Sequence, residues 1–214
     1  MSKIGVLGSG DVGKVLARGC AAQGHEVMIG SRTPESLSSW QSEDGSLIQL
    51  GTMEETAAFG DIVILAVKGL IVQDVVDGLK SVLSGKTVID ATNPINDSAP
   101  QDGVISLFTS LEESLMERLQ STAPEANFVK AFNSVGNAFM VKPNFKEGKP
   151  TMFICGNSDS AKSEVKTLLE SFGWEHEDMG KVTSARAIEP LCMLWCIPGF
   201  IDNKWHHAFK LLKA

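Results

Sequence analysis

"KIGVLGSGDVGKVLARGC", residues 3–20, is the stretch whose reading decides the fold. It begins as a short apolar strand, and Val12, Val15, Leu16, Gly19 and Cys20 then recur at helical spacing. Between strand and helix lies Gly8-Ser9-Gly10-Asp11-Val12-Gly13, a GxGxxG turn in the context that gives the motif its meaning. The first glycine permits the tight reversal, the second lets the backbone approach a pyrophosphate, and the third lets helix and strand pack closely. The helix start adds free N–H groups and a partial positive charge for phosphate oxygens. The alternative is a glycine-rich turn that holds no ligand.

Outward from this turn, short apolar runs alternate with helical patterns. The candidate strands are "KIGVLG" (3–8), "EVMIG" (26–30), "LIQL" (47–50), "DIVILAV" (61–67), "KTVID" (86–90), "NFVKAF" (127–132) and "TMFICG" (151–156). Several are apolar throughout, as strands covered on both faces must be. Val72, Val75, Val76 and Leu79 mark another helix. With right-handed crossovers this predicts an α/β fold, a doubly wound, mainly parallel sheet of Rossmann type. We divide it into a dinucleotide-binding domain, residues 1–182, and a C-terminal helical tail, residues 183–214. The tail reads as helical with a break at Ile197-Pro198-Gly199, and Trp195, Phe200, Trp205 and Phe209 load it with large apolar groups. Such a hairpin leaves an apolar patch unless it docks, so a two-fold homodimer is expected.

The second strand ends in "MIGSRTPE", residues 28–35. In NAD-binding folds an acid stands here, some 20 residues beyond the fingerprint, to accept hydrogen bonds from the adenine ribose. Residues 27–34 contain no acid. Ser31 and Arg32 stand there instead, a hydroxyl and a guanidinium suited to a 2′-phosphate. The pair therefore points to NADP(H) over NAD(H). Thr33 and Pro34 suit the N-cap and first position of a following helix.

Composition narrows the class. The 214 residues are 43% hydrophobic and 21% charged, with a net charge of -7 and no bank of Lys and Arg, which argues against a nucleic-acid partner. No run of about 18 apolar residues and no leader pattern occurs, so a soluble, cytoplasmic chain without a membrane partner is expected. Cys20, Cys155, Cys192 and Cys196 match neither a disulfide scaffold nor a paired CxxC site, and read as reduced thiols. Cys192 and Cys196 share an i, i+4 spacing, but among Leu191, Leu194 and Trp195 they read as core. His206 and His207 are adjacent on the expected terminal helix and so diverge, which makes a metal site improbable.

The loosest segment is "TNPINDSAPQDG", residues 92–103, a loop at the carboxyl ends of the strands where ligands bind in open sheets. Alternation in "FVKAF" places Phe128, Lys130 and Phe132 on one strand face, an unusual place for an unpaired charge. Either Lys130 meets a polar partner at the strand end, or it marks a sheet edge.

Together "IGVLGSGDVGKVLARG", "IGSRTPE", "DIVILAVKG", "IDATNPI", "KAFNSVG" and "MFICGNSDSAKSEVKTLLESFGWEHEDMG" resemble the NADP oxidoreductases that depend on a deazaflavin, coenzyme F420. They are also similar to the cytosolic NADPH-binding domain of the six-transmembrane metalloreductases. The resemblance implies that Ser9, Gly10, Asp11 and Val12 meet the pyrophosphate and that Ser31 and Arg32 meet the 2′-phosphate. It further implies that Ala66-Val67-Lys68 and Asn93-Pro94 line the nicotinamide half, with Asn133, Ser134, Val135 and Gly136 bordering the ring. The implied reaction is hydride transfer between NADP(H) and a small-molecule acceptor, a deazaflavin or flavin ring.

The residues leave other acceptors open, since the loop and the aromatic tail suit a quinone or a small carbonyl compound as well. An imine or carbonyl reductase would need a proton donor, for which Lys130 and His176 are the candidates. A non-catalytic module that senses NADPH is a third reading. No Ser-His-Asp set, P-loop lysine or acidic pair suggests another chemistry, which suits a reaction carried by the cofactor.

Overall fold

Eight strands form one sheet in the order β3-β2-β1-β4-β5-β6-β7-β8. The structure, a computed structural model, describes residues 1–213, so Ala214, the last residue of the expected tail, lies outside the described residues. The strands are β1 (Lys3–Leu7), β2 (Glu26–Gly30), β3 (Ile48–Gly51), β4 (Ile62–Leu65), β5 (Thr87–Asp90), β6 (Asn127–Lys130), β7 (Thr151–Gly156) and β8 (Glu175–Asp178). All neighbours pair parallel except β6 with β7. The helices are α1 (Asp11–Ala22), α2 (Ser38–Asp44), α3 (Met53–Phe59), α4 (Gly69–Leu83), α5 (Leu115–Thr122), α6 (Asp159–Ser171), α7 (Ala185–Ile188) and α8 (Leu191–Asp202). This is the doubly wound Rossmann arrangement, with its switch point where β1 lies beside β4.

Continuous apolar strands serve two layers at once. Ile62 and Ile64 face the layer that holds α1 and α6, while Val63 and Leu65 face the layer of α3, α4 and α5. Each such side chain, fully buried, contributes about 1.5–3 kcal/mol. The eighth strand, "EHED", has no apolar residue and lies at the sheet edge.

Three expectations are corrected. β6 ends at Lys130 because Phe132 takes a left-handed φ of 63°, which turns its ring into the layer opposite Phe128; the three residues do not share one face. β6 lies between β5 and β7, so Lys130 does not mark a sheet edge. Finally, α8 runs through Pro198 without a break to Asp202, and residues 203–213, which begin with a left-handed Asn203, form neither helix nor strand. Gly199 instead meets the returning chain. A β-carbon there would lie 2.2 Å from the Trp205 ring, so glycine lets the returning chain lay Trp205 against the helix. Trp195 Nε1 donates to the His207 carbonyl at 2.9 Å, and Phe209 accepts from the Thr151 N–H at 2.8 Å. His206 and His207 thus sit on a non-helical strap and still diverge, one packed edge-on to Phe139 and the other on Trp195.

α7 is also fastened to α5. The Ser114 hydroxyl accepts from the Glu117 N–H, and the Glu117 carboxylate accepts from the Ser114 N–H at 2.8 Å, closing a capping box. Arg186 then grips Glu117 through Nε and Nη2 at 2.7 to 3.1 Å. That guanidinium holds the Glu117 carboxyl down from its ordinary 4.5 to about 2.

Gly13→Ala should lower stability by about 2 kcal/mol, because its β-carbon would lie 1.9 Å from the Gly8 carbonyl oxygen. Gly78→Ala, on the exposed side of α4 with nothing within 4 Å, should raise stability by about 0.5–1 kcal/mol; urea midpoints read both. A carboxyl depressed on folding stabilises above its unfolded value and loses that contribution as it protonates. Stability should therefore fall as pH drops from 4.5 towards about 2, and thermal melts of Glu117→Gln should be flatter across that window.

Candidate functional site

At the switch point, β1 and β4 release their chains into two loops that touch. A β-carbon on Gly8, whose φ is 124°, would lie 2.3 Å from the Ala66 carbonyl oxygen. Only glycine accommodates both that conformation and that approach. Gly13 admits the Gly8 carbonyl against α1, as its 1.9 Å clearance requires. Gly10 differs: nothing lies within 4 Å of its β-carbon position. It is the N-cap of α1, its carbonyl takes the Lys14 N–H at 3.0 Å, and the amides of Asp11, Val12 and Gly13 precede that first bond.

Beside this turn, Ser31 leaves β2 buried while Arg32 is exposed. The Ser31 hydroxyl accepts from the Thr33 N–H at 3.2 Å, and the Ser9 hydroxyl approaches it at 3.5 Å. Thr33 caps a short 3-10 turn, Pro34–Leu37, with Pro34 at its start. Arg32 forms no ion pair among the described residues.

On the other side of α1 a cleft of about 310 Å³ runs over the carboxyl ends of β4 and β5. It brings together Val12, Ala66, Val67, Lys68 and Asn93, with Thr92, Ile95 and Asn96 on the loop wall. Lys68 occupies the N-cap position of α4 without a side-chain capping bond, so a second helix N-terminus opens there. Gly69 lets α4 start beside the loop, since a β-carbon would lie 1.9 Å from the Asn93 carbonyl oxygen. Pro94 is buried beneath the cleft rather than lining it. Asn133, Ser134 and Val135 are also buried, and Gly136 carries the Trp195 ring, 2.9 Å from where a β-carbon would be.

Two asparagines tie these loops together. Asn93 Nδ2 donates to the Asn133 carbonyl at 2.8 Å, and Asn133 Nδ2 donates to Asn93 Oδ1 at 3.3 Å and to the Ile188 carbonyl at 2.9 Å. Asn133 Oδ1 is buried without a hydrogen-bond partner among the described residues.

Beneath them lies a buried ionic cluster. Lys130 Nζ meets Asp90 Oδ2 at 2.6 Å, the Thr92 carbonyl at 3.0 Å and Glu189 Oε1 at 3.0 Å. The side chains of Lys130 and Asp90 are 0% exposed and that of Glu189 is 1% exposed. Burial alone would lower the lysine pKa, but the two carboxylates raise it above the ordinary lysine range. Asp90 Oδ1 also accepts from the Thr92 hydroxyl and N–H. Glu189 accepts from the Leu115 and Met116 N–H groups at 2.9 Å, capping α5. Sequence reasoning missed Asp90 and Glu189: the first closes an ordinary apolar strand, and the second lies far along the chain. Lys130 has its polar partners at the strand end, one of its two expected alternatives.

Burial pushes the thiols of Cys20 and Cys155 up to about 12, so neither is an available nucleophile. Cys192 is buried as expected, and Cys196 is partly so. Among the described residues there is no group of three potential metal ligands, and no helix is long and apolar enough to cross a membrane.

Residues 3–94 match the family model described as NADP oxidoreductase, coenzyme F420-dependent. A solved structure from Arthrobacter sp. FB24, provisionally described as an F420-dependent NADP-reductase, is 32% identical, covers 100% of both chains and superposes with a TM-score of 0.92. The F420-dependent NADP reductase of Methanothermobacter thermautotrophicus is 26% identical over 90% of this chain and 87% of its own length. The rat metalloreductase STEAP3 is 30% identical over 92% of this chain, which spans 38% of that longer protein. The glycine turn, the Ser31-Arg32 strand end and the likeness over the full length of the Arthrobacter structure lead to one assignment: the chain belongs to the coenzyme F420-dependent NADP oxidoreductase family.

Proposed function

We propose that this chain is an NADPH-dependent oxidoreductase that moves a hydride between NADP(H) and a flavin-like ring, a deazaflavin of the F420 type included. The observation that carries this reading is Ser31 and Arg32 beside the open turn at Gly10, with no acid in residues 27–34. An acid would repel a 2′-phosphate, whereas a hydroxyl and an unpaired guanidinium bind it by charge-assisted hydrogen bonds.

The residues fit the cofactor. The space over Gly10 admits a diphosphate to the amides of Asp11 and Val12. Ala66, Val67, Lys68 and Asn93 would line its nicotinamide half, backed by Pro94 and residues 133–136. NADPH, when bound, supplies the transferable hydride. The chain's part is to bind, to orient and, with Val12, Ala66, Ala91 and Ile95, to keep water from the cleft. The names of the relatives support NADP-linked redox chemistry and an acceptor of the F420 class. The two candidate proton donors do not favour an imine or carbonyl reductase: Lys130 is locked in ion pairs, and His176, on the edge strand β8, is bonded to Glu170 of α6.

The division into a cofactor domain, 1–182, and an arm, 183–214, belongs to the same proposal, as does a cytoplasmic setting, which four unpaired cysteines support. So does a homodimer, supported by exposed Leu194, Phe200 and Ile201 on α8.

Arg32→Ala should weaken NADPH binding by about 10- to 100-fold, the worth of a charged hydrogen bond or two, while leaving NADH binding unchanged. Fluorescence titration reads both, and equal affinity of the unaltered chain for the two cofactors would overturn the reading. Steady-state NADPH oxidation should proceed with F420-type or flavin acceptors and not with imines. Light scattering should give twice the 22.9 kDa chain mass; a monomer at micromolar concentration sinks the dimer.

A further inference from the structure

We propose that Lys130 is a positioning residue for the redox step, joined with Asp90 and Glu189 into a buried clamp that fixes the loops bordering the nicotinamide half of the cleft. The inference rests on the proposal that the cleft takes NADPH, and it goes beyond it by assigning the geometry of that half to residues that touch no ligand.

The clamp has three outlets. Lys130 Nζ holds the Thr92 carbonyl at 3.0 Å, and Thr92 directly precedes Asn93 on the cleft wall. Asn93 in turn exchanges side-chain hydrogen bonds with Asn133. On its own strand, Lys130 is followed after one residue by Phe132, whose left-handed φ of 63° starts the second loop; such a conformation persists only where its surroundings over-determine it. On the third side, Glu189 ties the lysine to the arm, and the neighbouring Ile188 carbonyl takes Asn133 Nδ2 at 2.9 Å. One ammonium therefore joins the end of β5, the end of β6 and the start of the arm.

An apolar residue of similar length would fill this space. Replacing two buried carboxylates and an ammonium by packed side chains is often neutral or stabilising, so a gain in stability is not by itself the reason for such a cluster. What apolar packing cannot supply is direction: each of the three bonds fixes the bearing of a loop. Hydride transfer is sensitive to such bearings, since a displacement of about 1 Å can cost about 100-fold in rate.

The test uses the double variant Asp90→Asn with Lys130→Met, which leaves neither partner of the shortest pair charged and unpaired, and separately Glu189→Gln, which retains an oxygen for the α5 cap. In the chain without cofactor, hydrogen exchange of residues 92–96 and 133–136 should accelerate by about 10-fold or more, with α1 unchanged. The NADPH dissociation constant, read by nicotinamide fluorescence, should stay within about 3-fold, while kcat falls by about 10-fold or more. Glu189→Gln should show the same pattern at smaller amplitude. Unchanged exchange in both loops, acceleration spread equally over α1, or an unaltered kcat per folded molecule would overturn the clamp while leaving the cofactor reading intact. Absence of NADPH binding by the unaltered chain would instead overturn both.

Discussion

The structure depends on one backbone contact, the Gly8 carbonyl held against α1 at Gly13. It sets how close the first helix lies to the first strand, and so where the start of α1 opens. The same turn brings Gly8 against the Ala66 carbonyl, which couples β1 to the loop after β4. The two helix starts on the cleft, those of α1 and α4, are therefore placed by glycines rather than by side-chain packing. Two large apolar layers then hold this arrangement rigidly enough for the spacing to be kept.

The interior also contains an expense that apolar packing would avoid. Lys130 brings a full charge between two carboxylates whose side chains are almost wholly buried. Isolated, that charge would be costly; with three oxygens at 2.6 to 3.0 Å it is matched. The excess carboxylate charge is met in turn by the Leu115 and Met116 amides at the start of α5. The cluster thus reaches from the sheet to a helix cap without an unpaired ion.

Much of the fold was legible because its signals are local. The glycine turn, the apolar strands and the Ser31-Arg32 pair are each read within a few neighbouring residues. β8 was hard to read because "EHED" is an edge strand that buries no face of its own, so no apolar alternation marks it. The break expected at Ile197-Pro198-Gly199 does not occur, and Gly199 serves a contact with Trp205 that only the returned chain supplies. The partners of Lys130 lie on another strand and on the arm, and no spacing rule connects them. Likewise the need for glycine at position 69 comes from the Asn93 carbonyl, a neighbour made by the sheet. Local chemistry was therefore readable, and chemistry assembled across the sheet was not.

The position of Glu189 bears on how the chain is made. A ribosome releases Asp90 and Lys130 well before Glu189, so the nascent sheet contains its ammonium with one carboxylate, and the Leu115 and Met116 amides of α5 lack their acceptor. Full matching of the Lys130 charge therefore waits on a segment translated after the strand that carries it. The order of synthesis and the order of packing thus differ: the strand comes first, and its charge is matched later.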